Sequence, residues 1–217
     1  MTAFLIAPRR MFLAFECAVL FVLMPMLVYR HPTRLDVHLG LLLVAVYAAV
    51  ILNKTPGFSW REAWRGRRLT AREVKLIAAR FIVSTFGIFL LTRLIEPRGV
   101  FSFPTQRPVF WLIVMILYPF LSALPQEMVF RCFFFRRYAA LFPHKGAMLF
   151  ASAFVFGFTH IVFHNPISPI LSFICGFFLA ASYLAHDSLK KAAIEHALYG
   201  DMVFTVGLGY YFLVGFH

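Results

Sequence analysis

Seven apolar runs, at 11–29, 37–52, 76–95, 109–135, 147–163, 167–185 and 192–214, take up most of the sequence. About 20 apolar residues in helical form cross the hydrocarbon core of a bilayer. Runs of this length and number predict an all-α polytopic membrane protein with about seven transmembrane helices. Composition supports this. The chain is 61% hydrophobic and 14% charged, whereas soluble domains are about half apolar and a quarter charged. That excludes an ordinary cytosolic domain, and disorder as well, which needs few apolar residues. The spans use nearly all of the 217 residues, so a single integral membrane domain over 1–217 is expected.

The run at 11–29 follows Arg9 and Arg10 and lacks a small-residue cleavage site before His31-Pro32. It reads as a true span rather than a signal peptide. Pro119 and Pro125 fall inside the run at 109–135. Each lacks an amide hydrogen, so each is expected to kink or break that helix. Between the second and third runs, 54–75 is the most polar stretch, with Arg61, Arg65, Arg67, Arg68 and Arg72, and with Trp60 and Trp64 one turn apart. It predicts an interfacial amphipathic helix, aromatic face to lipid and basic face to headgroups.

Charge sets the orientation. Lys and Arg number 21 against 9 Asp and Glu, a net +12. In a soluble chain that excess points to nucleic acid. Here no polar domain carries base-stacking aromatics, so no nucleic-acid partner is expected, and the cations are assigned to loops and the lipid surface. With the N-terminus cytoplasmic, the inner loops hold Arg9, Arg10, the seven cations of 54–75, Arg136, Arg137, Lys145, Lys190 and Lys191. The outer loops hold Arg30, Arg34, Arg98 and Arg107. Fourteen against four favours N-in and C-out. Cys17, Cys132 and Cys175 are isolated in apolar runs, which suggests neither disulfides nor a zinc site.

Ionisable groups inside apolar helices are costly and are functional candidates. Glu127 and Arg131 are four apart in Pro125-Gln126-Glu127-Met128-Val129-Phe130-Arg131, so they share a helix face and can pair. His160 and His164 have metal-ligand spacing, but Ile161 stands where the zinc-protease pattern needs Glu. Glu195 and His196 lie just inside the last run, where a first-turn acid and a packed core histidine are the plain structural alternatives. Glu16 stands alone in the first run, and nothing in the sequence gives it a function. An intramembrane aspartyl site needs two carboxylates sharing a proton. Asp201 has no such partner, because Asp36 and Asp187 fall in loops. A serine protease would need its Ser at membrane depth, but Ser59 lies in the polar loop. No repeated half suggests a transporter.

Three motifs in this order resemble the CPBP family, which includes CAAX prenyl endopeptidases and bacterial glutamic-type intramembrane proteases. The family pattern is Glu-Glu-xxx-Arg, then Phe-xxx-His, then His-xxx-Asn or Asp. This chain has Gln126-Glu127-xxx-Arg131, Phe156-xxx-His160 and His196-xxx-Gly200, with Asp201 adjacent. The resemblance covers about 109–209. It implies an intramembrane endopeptidase in a bacterial inner membrane, acting on a membrane-associated protein or peptide. By the family's scheme a glutamate and a histidine activate water, while a further His and Asn stabilise the oxyanion. Carried onto this chain, Glu127 and His160 activate water and His196 steadies the oxyanion, with Gln126, Arg131 and Glu195 in support. No cofactor is expected; zinc held by His160, His196 and Glu127 is the alternative.

Two departures bear on activity. Gln126 replaces the first glutamate, and an amide cannot accept the proton. Gly200 replaces Asn and removes one oxyanion donor, a loss of about 10²–10³ in rate in other systems. The alternative function is therefore a weakened or inactive homologue that binds a membrane protein. Depth poses a further constraint. At 1.5 Å per residue, His160 lies roughly 20 Å beyond a helix start near Ala147, while Glu127 lies nearer the cytoplasmic face. The two meet only if the helices tilt or kink.

Overall fold

The computed structural model describes residues 2–30 and 33–213; His31-Pro32 and the end of the last run at Val214 lie outside the described residues. Among the described residues six helices are long and apolar enough to cross a membrane: α1 Pro8–Arg30, α2 Asp36–Asn53, α4 Ala71–Ile95, α5 Pro108–Arg137, α6 Lys145–Phe163 and α7 Ile167–His186. A short α3, Trp60–Arg65, precedes α4, and α8, Leu189–Val206, follows α7. No strand occurs among the described residues.

The count of six differs from the predicted seven at α8. This helix carries Lys190, Lys191, Glu195 and Asp201, more charge than lipid-facing helices of this length accept. It still runs the length of the bundle. At its start the Ser188 hydroxyl donates to the Trp64 carbonyl at 3.0 Å. At its end Phe101 N–H donates to the Val206 carbonyl at 3.0 Å. Its charges are tolerated because much of it is wrapped by protein: Ala192, Ala193, Glu195, His196, Ala197 and Tyr199 are all buried.

The helix starts follow from capping. Thr70 accepts from Glu73 N–H at 3.3 Å, and Glu73 accepts from Thr70 N–H at 2.7 Å, a reciprocal box at the start of α4. Thr33 caps α2 through Asp36 N–H at 3.0 Å, and Ser188 caps α8 through Lys191 N–H at 3.4 Å. These caps also correct the interfacial helix predicted over 54–75. Helix there is limited to Trp60–Arg65, and it stops at Gly66, where φ is +55°. Residues 71–75 belong to α4 instead. Trp60 and Trp64 remain exposed beside the basic side chains.

The prolines of α5 do not break it. The helix widens into π turns at Pro119–Ala123 and Met128–Phe133. A π turn pairs each carbonyl with a donor one residue further on, which relieves a carbonyl that faces a proline ring. The same happens in α1, where Val19–Leu23 is π-helical just before Pro25.

Polar contacts gather at the two ends of the bundle. One end holds Arg136 Nη2–Asp187 Oδ1 at 2.9 Å, Arg10 Nε to the Ala140 carbonyl at 3.0 Å and Arg67 Nε to the Ala185 carbonyl at 3.1 Å. The other holds His164 Nε2 against the Tyr29 carbonyl at 2.9 Å and Asn165 Nδ2 on the Tyr211 carbonyl at 2.8 Å. Between the ends, large apolar side chains such as Phe15, Leu43, Val83, Phe86 and Phe110 are exposed. In water such a surface would be a liability; against lipid tails it is the expected exterior. The protein is an integral membrane protein.

Candidate active site

A cavity of ≈ 970 Å³ lies between α4, α5, α6, α7 and α8. Its walls are mostly apolar. The polar side chains facing it include Gln126 and Tyr118 of α5, His160 of α6 and His196 and Tyr199 of α8. A second space of ≈ 130 Å³ toward α1 and α2 shares Gln126 and His160 with the first. These two residues therefore form part of the wall between the two spaces.

Glu127 does not face either space. It is fully buried, and the residues lining the two cavities do not include it. Its Oε1 lies 2.9 Å from Nδ1 of His196, and its Oε2 lies 3.2 Å from Nε of Arg131. Arg131 is fully buried as well. A buried guanidinium needs a counter-charge and further partners. It has them: Glu127, the Ser152 hydroxyl at 3.3 Å, the Phe130 carbonyl at 3.4 Å, and the Phe156 ring with its centroid 4.7 Å away. Ser152 in turn donates to the Phe130 carbonyl at 2.8 Å.

Phe156 bridges the depth gap between Glu127 and His160. Its ring meets His196 edge-on at 5.4 Å and His160 at 4.8 Å. His160 caps the end of the α-helical part of α6, where the chain tightens into a 3-10 turn. His160 Nδ1 lies 2.7 Å from the Phe156 carbonyl. A carbonyl only accepts, so Nδ1 carries the hydrogen and Nε2 of the neutral ring keeps a lone pair. The Phe-xxx-His spacing thus does two jobs: the ring packs between the histidines, and the carbonyl sets one tautomer.

The structure brings together Gln126, Glu127, Arg131, His160 and His196, and leaves two of the other candidates elsewhere. Glu195 faces α4, 3.9 Å from Arg80 Nη1, and accepts from the Tyr199 hydroxyl at 3.0 Å; it does not line the cavity. His164 stacks on Tyr29 at 4.2 Å, at the far end of the bundle, so it does not pair with His160. Gln126 donates to the Ser122 hydroxyl at 2.7 Å, while its own Oε1 is buried without a partner.

The three residues named for zinc do not form a ligand set. Both Glu127 oxygens face Arg131 and His196 rather than an open position. Among the described residues no group of three His, Cys, Asp or Glu side chains is disposed to hold a metal ion.

Ser152 and Tyr118 are the residues that sequence reasoning missed. Ser152 gives a weak signal, a hydroxyl inside an apolar run. Tyr118 gives none locally; its contact is with Gly200, far along the chain.

No curated protein and no solved structure matches this chain. Residues 108–200 match the family model described as type II CAAX prenyl endopeptidase Rce1-like. The matched segment holds Gln126, Glu127, Arg131, His160 and His196, and its likeness to that model agrees with the CPBP resemblance of its motifs.

Proposed function

We propose that this protein is an intramembrane endopeptidase that cleaves a membrane-associated protein or peptide with water activated by His160. The Rce1-like match supports a CAAX-type intramembrane protease. The observation that carries the finer reading is the pair of histidines on one large, mostly apolar cavity, with the Glu127–Arg131 ion pair locked behind one of them. Peptide hydrolysis needs a base for water and donors for the developing oxyanion. His160 Nε2 is the base, and the amide of Gln126 helps to orient the water. Water adds to the scissile carbonyl carbon as its proton passes to His160. Protonated His196 donates from Nε2 to the oxyanion. Glu127 holds His196 through Nδ1 and offsets its charge, as the carboxylate does for the histidine of a catalytic triad. His160 then delivers its proton to the leaving nitrogen as the C–N bond breaks.

This scheme keeps the sequence-based roles of His160 and His196 and changes that of Glu127. A carboxylate sealed away from the cavity cannot touch the attacking water, so it positions the histidine instead. The apolar walls suit a lipid-bearing or transmembrane segment. By the positive-inside rule the basic end of the bundle is assigned to the cytoplasm, which supports a cytoplasmic N-terminus in a bacterial inner membrane.

The test is reconstitution. Purified protein in lipid vesicles is offered a library of membrane-anchored peptides, and products are identified by mass spectrometry. Wild type yields defined fragments and His160→Ala yields none. Equal products from both would refute the assignment of His160. An intact peptide held tightly by both proteins would support a binding role instead.

A further inference from the structure

We infer that the Tyr118 hydroxyl supplies the oxyanion hydrogen bond that an amide at position 200 would otherwise give. The inference rests on the protease reading above. Gly200 lines the cavity and has no side chain to offer. The space beside it is filled: a Cβ built on Gly200 would collide with the Cε1, Cζ and hydroxyl oxygen of Tyr118. The phenol therefore occupies the place where a side chain from position 200 would begin. It reaches there from a different helix, α5, at the residue just before the π turn that Pro119 opens.

Three further observations point to a donor rather than a filler. Tyr118 lines the cavity together with Gln126, His160 and His196. Its ring packs edge-on against His196, centroids 6.0 Å apart at 78°, and against Phe204 at 5.5 Å, which fixes its position beside the first oxyanion donor. Its hydroxyl has no hydrogen-bond partner among the described residues, so the O–H is uncommitted. Most hydroxyls in such a setting are paired, because a polar group left unpaired in apolar surroundings is costly. A phenol is a neutral donor, as an amide is. It gains most when negative charge appears on the substrate oxygen in a water-poor site. Gly200 is then an adaptation to Tyr118: any larger residue would displace the phenol.

Tyr118→Phe removes one oxygen and keeps the ring. In vesicles, on a peptide that wild type cleaves, kcat should fall about 10²-fold, the typical loss for one oxyanion donor. KM should stay within about twofold, since the bond forms only in the transition state. The thermal midpoint should be unchanged. A paired exchange supplies the rescue: Tyr118→Ala with Gly200→Asn opens the space and restores a donor from α8, and should cleave at least about tenfold faster than Tyr118→Ala alone. Wild-type kcat in Tyr118→Phe would overturn the role of Tyr118 and leave the protease reading standing. A loss confined to KM or to stability would overturn it too, in favour of a packing role. A reconstituted wild type that cleaves no member of the library would overturn both readings.

Discussion

Among the described residues three buried carboxylates lie beside arginines, Glu16, Glu127 and Glu195, and the first two do different things. Glu16 of α1 takes Nε and Nη2 of Arg137 at 2.8 and 3.1 Å and the hydroxyl of Tyr47 from α2. Every partner is a donor from a neighbouring helix, and Glu16 lines neither cavity. Glu127 of α5 also faces an arginine, but its second partner is an imidazole whose other nitrogen is left for the cavity. Both residues are equally improbable in lipid. The Glu16 cluster ties α1, α2 and α5 together, while the Glu127 cluster ends on a group that can exchange a proton. A buried ion pair is therefore not evidence of chemistry by itself. What separates the two is the histidine and the space in front of it.

Glu127→Ala should have the largest effect, because it strips the counter-charge from a fully buried Arg131 and the anchor from His196. A loss of about 3–5 kcal/mol is expected from breaking such a pair, seen as a lower thermal midpoint in detergent, along with loss of cleavage. His160→Ala comes next and separates chemistry from folding. Cleavage should drop about 10²–10⁴-fold, the range for a general base, with the midpoint near wild type. Glu16→Gln should be the mirror image. It keeps the shape but weakens the bonds to Arg137, costing about 1–3 kcal/mol, while cleavage per folded molecule stays within about twofold. A large loss of turnover in folded Glu16→Gln would erase the contrast between the two clusters. The smallest change is expected from Gln126→Glu, which puts a carboxylate on the cavity wall where Ser122 can donate to it. Initial rates should rise, by about tenfold at most, since His160 already serves as base.

Much of this was legible in the sequence. The apolar runs locate the helices, and the motif order places Glu127, Arg131, His160 and His196 in one site. Three things were not legible. The number of lipid-exposed spans depends on whether neighbours shield Lys190, Lys191, Glu195 and Asp201, which no local pattern reveals. The side of α5 that meets the cavity depends on its π turns. Each inserts about one residue, or roughly 100° of rotation at 3.6 residues per turn, so counting along an ideal helix cannot tell whether Gln126 or Glu127 faces the space. Gly200 looks like a lost donor when α8 is considered alone. Only the fold shows Tyr118 standing in its place. Helix existence is encoded locally, whereas facing and substitution between helices are encoded in tertiary contacts.

The most direct test of the central claim compares the terminal peptides of membrane proteins, by mass spectrometry, in cells carrying wild type, His160→Ala and Glu127→Ala, each shown to be inserted in the membrane. The account predicts at least one new terminus present with wild type and absent with both variants, which would also identify the substrate and the scissile bond. Identical termini in all three would contradict proteolysis, and the cavity would then be a place where a membrane segment is held rather than cut.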